Sequence, residues 1–241
     1  MMDIFTTRPE TRYGCPAADQ ILINRCYTVG YSYYFRQAKW AIEIVDPDKK
    51  DLEEVDRTDN FRPDFRVPKN FRADLSDYRR SGFDRGHLVA SANQNDEQLQ
   101  NSETFLLSNM SPQAPGFNRR IWRELESAVR QLDSQPDVLE TYVISGPIFD
   151  FETPIQMIGR ADDAGYSVPV PSHFFKCVLA ERTSGKLHMW AFEMENDQLQ
   201  GSLADYRKPT SYIEMRAGIL LWDRLTGPEV DREKHKVRGV W

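Results

Sequence analysis

His87, one of only four histidines, directly follows Asp84, Arg85 and Gly86. Arg57 lies upstream, and Asn109, Asn118 and Glu126 follow downstream. In chain order these are anion binders, a titratable base and oxygen donors, which is what phosphodiester hydrolysis requires. Water attacking phosphorus must lose a proton, and imidazole suits this because its unperturbed pKa is about 6.5. The phosphoryl oxygens gather negative charge, which Arg57 and Arg85 could meet with permanent charge and paired donors. The leaving oxygen also needs stabilising. Mg2+ can do this as a Lewis acid, and Mn2+ can substitute for it. Mg2+ takes oxygen ligands and keeps several waters, so a single asparagine carbonyl, that of Asn118, is a sufficient direct ligand. Glu126 stands eight residues later, a little over two helical turns. That position suits holding a metal-bound water better than holding the ion.

Taken singly, each residue has an ordinary role. His87 could be a hydrogen-bonded structural imidazole, Asn118 a helix cap, Glu126 a solvated helix residue and Asn109 a turn residue. Arg57 is one of many arginines in a polar loop. Their order and spacing together favour the chemical reading. Gly86 has no Cβ, so the backbone before His87 is expected to pass close to substrate or metal.

These residues need elements to position them. "NRRIWRELESAVRQL" repeats Ile121, Leu125, Ala128, Val129 and Leu132 at helical spacing. It predicts an amphipathic helix of about four turns, with Asn118 near its start as a favoured cap. Trp122 is expected in the core of that helix's packing. "GHLVAS" and "FLLSNMSP" read as short buried strand-like segments, and "RTDNFRPDFRVPKNFR" as an irregular loop. "WAIEIV" and "TYVISGPIF" read as strands, and "HFFKCVLA" with "LHMWAFEM" as a hairpin. A late helix should start near Thr210. His173, in "PSHFF", is read as structural. Strands and helices mix without regular βαβ alternation, so the expected class is α+β.

The chain has 241 residues, 40% of them hydrophobic, which is enough for a substantial core. No linker, repeat or low-complexity tract divides it, so one domain over residues 1–241 is expected. Three cysteines (Cys15, Cys26 and Cys177), with no C-x-x-C pair, argue against a disulfide framework or a zinc–thiolate site. A Cys15–Cys26 bridge stays open for an oxidising compartment. No secretory signal opens the sequence and no run of about 18 apolar residues could span a membrane, so a cytoplasmic location is expected. The net charge of −6 argues against a nucleic-acid partner, but its distribution weakens the objection. Residues 46–56 hold six acids against two lysines, whereas residues 57–85 hold eight Lys/Arg against five acids. Local field matters more than the total for phosphate binding.

The sequence resembles the sugar-non-specific DNA/RNA endonucleases of the ββα-metal group, the family that includes endonuclease G. "DYRRSGFDRGHLVASANQ" and "TFLLSNMSPQAPGFNRRIWRELE" carry the resemblance. Segments before and after them extend it over most of the chain. It implies a ββα-metal core with a mixed or antiparallel sheet flanked by helices. It also implies Mg2+-dependent cleavage of DNA and RNA through the phosphate backbone, leaving 5′-phosphate ends. His87 would be the general base, Asn118 the direct metal ligand, and Glu126 the holder of metal-bound water. Arg57 would contact the scissile phosphate, Arg85 and Asn109 would support phosphate and strand geometry, and Asp84 would fix the loop. Ala217, before Gly218, stands where the family usually has threonine. The alternative is a catalytically silent nuclease-like module that binds nucleic acid or a protein. An active nuclease in the cytoplasm would need restraint, by an inhibitor, a sensor domain or controlled homo-oligomer assembly.

Overall fold

The computed structural model describes residues 8–45, 55–159 and 167–241, so most of the acidic stretch 46–56 lies outside the described residues. Eleven strands run in chain order among them: β1 Gln20–Ile23, β2 Tyr27–Ser32, β3 Gln37–Ile44, β4 Asp84–His87, β5 Met110–Gln113, β6 Val138–Ile148, β7 Met157–Ile158, β8 Val168–Pro169, β9 His173–Arg182, β10 Leu187–Glu195 and β11 Arg207–Lys208. Seven form one sheet in the order β1-β2-β3-β6-β9-β10-β11, antiparallel throughout. The α-helices are α1 Leu75–Tyr78, α2 Gln98–Glu103, α3 Arg123–Asp133, α4 Thr210–Ala217 and α5 Pro228–Lys234. The class is α+β, with the expected hairpin in β9–β10 and the late helix at Thr210. Among the described residues no helix is long and apolar enough to cross a membrane.

The large sheet is packed on both faces. Side chains alternate along a strand, so each central strand supplies two cores. From β3, Ala41 packs with the core under α3, while Trp40, Ile42 and Ile44 enter the opposite core, which holds Ile213 and Trp222. From β9, Phe174, Val178 and Ala180 face α3, and Phe175, Cys177 and Leu179 face away. The alternation in "WAIEIV" suggests one solvated face, yet Glu43 is buried. On the α3 side, Glu43 of β3, Ser145 of β6 and Lys176 of β9 break the apolar surface, with Ser145 directly opposite Lys176 in register.

One helical run crosses this face. It opens at Pro115, has a π-helical segment from Phe117 to Trp122, and continues as α3. Pro115 fits the first helical position because its missing N–H would be unpaired there anyway. Asn118 therefore lies inside the first turns, and its side chain turns toward β4 instead of capping. Phe117, Ile121, Trp122, Leu125, Val129 and Leu132 bury the inner stripe.

β4 and β5 pair antiparallel as a separate ribbon, with His87 opposite Met110. Gly86 is buried there, and a Cβ on it would lie 2.0–2.4 Å from side-chain atoms of Gln113. The missing Cβ thus makes room for β5, which corrects the expectation of close approach to substrate or metal. Gln113 is fully buried. Gly86→Ala should therefore cost about 1–3 kcal/mol by overpacking. Adding Gln113→Ala should recover part of that loss in denaturant unfolding. Equal midpoints for wild type and Gly86→Ala would refute this packing account.

Candidate active site

The β4–β5 ribbon and the helix opening at Pro115 meet at His87. The Trp122 Nε1–H donates to the His87 carbonyl at 3.2 Å. The same indole favours the charged form of the Glu126 carboxylate, so one buried tryptophan stands beside both the backbone of the candidate base and the candidate holder of metal-bound water. Trp122 is core, as expected. At the ribbon's other end, Asp84 accepts from Asn118 Nδ2 at 3.0 Å and from Arg119 Nε and Nη2 at 2.8 and 2.7 Å. Burial pushes the Asp84 carboxyl up, but these donors outweigh it and hold the pKa below its usual value. With its amide nitrogen tied to Asp84, Asn118 has Oδ1 left as an acceptor.

The π segment also sets the helix face. Eight residues of ideal α-helix overshoot two turns by about 80°. A π turn accommodates about one extra residue, which cuts the mismatch to about 20° and aligns Glu126 with Asn118. Such widened turns occur frequently at functional sites.

The His87 ring packs edge-on to Phe105 at 5.1 Å and Phe61 at 5.8 Å between centroids. Its Nε2 is buried with no hydrogen-bond partner among the described residues. Arg57 lies over the Phe105 ring at 4.8 Å and Arg85 over Phe61 at 4.0 Å. Burial and then the charges of Arg57 and Arg85 lower the His87 pKa to about 3. Arg57 is held by Asp59 and Ser91, each at 2.7 Å. The structure thus gathers Arg57, Asp84, Arg85, His87, Asn118 and Glu126 around one ribbon–helix junction.

Asn109 is different. Its side chain is fully buried, accepts from Val89 N–H at 3.0 Å and donates to the Val89 and Thr104 carbonyls, each at 2.9 Å. All its hydrogen-bonding capacity toward the chain after His87 is spent on strand geometry, and none faces substrate. The His173 ring meets only the neighbouring Ser172 hydroxyl among the described side-chain polar contacts, at 3.0 Å.

Residues 7–226 match the model of the DNA/RNA non-specific endonuclease family. The chain belongs to that family. It is therefore a nucleic-acid-hydrolysing enzyme. This endonuclease is 33% identical over 239 residues to mitochondrial endonuclease G of Caenorhabditis elegans, covering 95% of this chain and 76% of the relative. It is 33% identical over 219 residues to human mitochondrial endonuclease G, covering 87% and 71%. A nuclease of Syncephalastrum racemosum is 35% identical over 232 residues, covering 89% and 71%. Its fold is similar to a chain of the solved EndoG/EndoGI complex, with a TM-score of 0.83, 30% identity and 94% of each chain covered.

Sequence reasoning missed the endonuclease's supporting layer. The Lys176 ammonium lies 4.4 Å over the Trp122 ring and donates to Ser145 at 2.8 Å. Glu43 accepts from Asn93 and Gln94 at 3.0 Å each. Burial raises Glu43 to about 7, against the opposing pull of Lys176. Burial also raises Glu126, while Lys176, Arg130 and Arg57 favour its charged form. The available signal was a lone charge inside each apolar strand, "WAIEIV" and "HFFKCVLA".

Proposed function

We propose that the protein is a Mg2+-dependent endonuclease, able to use Mn2+, that hydrolyses both DNA and RNA with little sequence preference. His87 takes the proton from the attacking water. Arg57 and Arg85 hold the scissile phosphate, Asn118 ligates the ion through Oδ1, and Glu126 holds it through water. Asp84 and Asn109 are positioning residues. The observation that carries this reading is the buried, unpartnered His87 Nε2 flanked by two guanidinium groups.

The donor set fits a hard ion that keeps its water. Among the described residues no group of three His, Cys, Asp or Glu could hold a metal, which disfavours a multidentate zinc-type site. One amide oxygen with a nearby carboxylate suits Mg2+. When bound, the ion supplies positive charge to the leaving oxygen. The protein's own part is positional and electrostatic. Burial and the two arginines keep His87 neutral in the free enzyme. A bound phosphate neutralises those arginines and restores basicity to His87 when it is needed. The Lys176 charge favours an ionised Glu126.

The pH consequence has a definite sign. A base works when deprotonated, so activity falls as pH drops through its pKa. The acid limb of kcat/KM reports the free enzyme and should lie below about 6.5, the unperturbed value. The limb of kcat reports the substrate complex and should lie at higher pH. A kcat/KM limb above that of kcat would contradict the arginine–phosphate account. The function itself is tested with supercoiled plasmid and structured RNA, in Mg2+ or EDTA. Degradation of both only with Mg2+ is expected. Tight binding without turnover in any divalent metal would replace the reading with a silent binding module. By analogy with the EndoG/EndoGI complex, we also propose that a protein inhibitor restrains this enzyme.

A further inference from the structure

We propose that a basic concavity beside the active site is a second phosphate-binding subsite, which grips a single-stranded stretch of nucleic acid flanking the cut. The proposal rests on the nuclease reading and extends it beyond the reacting phosphate. The concavity encloses about 930 Å³ and is lined by Arg36, Lys69, Arg72, Arg79 and Arg80. That volume is within the range of ligand sites. Two carboxylates share it, and both serve the local turn. Asp74 caps α1 by accepting from the Leu75 N–H at 2.7 Å. Asp77 accepts from the Asp74 N–H at 2.7 Å and faces Arg36 at 3.8 Å. Among the described residues no carboxylate pairs with Lys69, Arg72, Arg79 or Arg80. In a chain of net charge −6 this is a concentrated positive field, and a concave wall focuses such a field on a polyanion.

Two further observations point to nucleic acid. First, the concavity is continuous with the site. A hollow of about 460 Å³ shares Ser76 and Arg79 with it and also contains Asp84 and Arg85. A strand whose phosphate lies at Arg85 can continue past Arg79 to Arg80 and Lys69 without leaving basic surface. Second, aromatic faces interleave with the cations. The Arg72 guanidinium lies 4.5 Å over the ring of Phe65, which is 72% exposed. Phe71, next to Arg72, stacks on Tyr33 at 4.8 Å and 21°. Basic grooves with aromatic stacking faces hold unpaired bases, since every base offers a π-face. Arg80 adds a local sign of constraint: its φ is 58°, a left-handed conformation costly for a side chain with a Cβ.

The test is the triple variant Lys69→Gln/Arg79→Gln/Arg80→Gln. All three residues are exposed, so folding should be unaffected. Binding of labelled single-stranded DNA is followed by fluorescence anisotropy in EDTA, which separates binding from turnover. For a long oligonucleotide, affinity should fall about tenfold or more. The slope of log K against log salt should shrink by about 2, at roughly 0.7 per lost phosphate contact. For an oligonucleotide too short to leave the active site, affinity and slope should stay unchanged. Unchanged affinity and slope for the long strand would overturn the subsite. Equal losses on short and long strands would also overturn it, because they place the effect at the reacting phosphate. Failure of wild type to cleave any substrate would sink the nuclease reading instead, and the binding assay would still judge the subsite.

Discussion

His87→Ala should lower kcat on plasmid DNA by at least the ~10²–10⁴-fold typical of a lost general base. KM should change little. A base acts on the proton moving in the transition state, so its loss lowers kcat and kcat/KM together. The ring packs edge-on to Phe61 and Phe105, and the Trp122 bond goes to the backbone carbonyl. The variant should therefore keep its fold and its ribbon–helix junction, which circular dichroism and substrate affinity would check. Arg57 and Arg85 should stay over their aromatic rings and keep their proposed hold on phosphate. A large rise in KM with kcat intact would assign His87 to binding instead of proton transfer.

The second large effect concerns the metal. Asn118→Ala removes the proposed direct ligand, and Asp84→Ala removes the group that orients it. Loss of an orienting partner typically costs 10–100-fold in metal affinity or activity. Asp84→Ala should thus raise the Mg2+ concentration for half-maximal rate by roughly 10–100-fold, and Asn118→Ala by more. Asn118→Asp keeps an oxygen donor and should retain more activity than the alanine variant. Titrating rate against Mg2+ for the four proteins gives the order directly. Identical Mg2+ midpoints for wild type and Asn118→Ala would remove Asn118 from the metal site.

The candidate site was legible in part because its residues are local in sequence. Asp84, Arg85 and His87 occupy one short strand, and Asn118 and Glu126 share one helical run, although it takes the π turn to align those two. The rest depends on elements that meet only in space. Glu43, Ser145 and Lys176 come from three strands distant in sequence and become neighbours through sheet register. No periodicity reports that meeting, although a lone charge in an apolar strand hints at it. The π turn was invisible because it keeps a near-helical pattern while shifting the face by about one residue. Asn109 lies in a segment read as strand-like but serves as a side-chain crosslink, since its amide mimics a backbone pair. Gly86 showed that something must come close, but not that it was Gln113. Arg57 entered from a loop with no regular pattern, and the Phe61–Phe105 pair that seats it beside His87 was not anticipated.

The central claim is that His87 is the base at this junction. It is tested most directly by single-turnover cleavage of one plasmid preparation by wild type and His87→Ala, at saturating Mg2+, across the acid limb. The account predicts a wild-type rate that climbs with pH, and a variant rate that is slower by orders of magnitude and lacks that limb. A variant cleaving at the wild-type rate, or following the same acid limb, would contradict it.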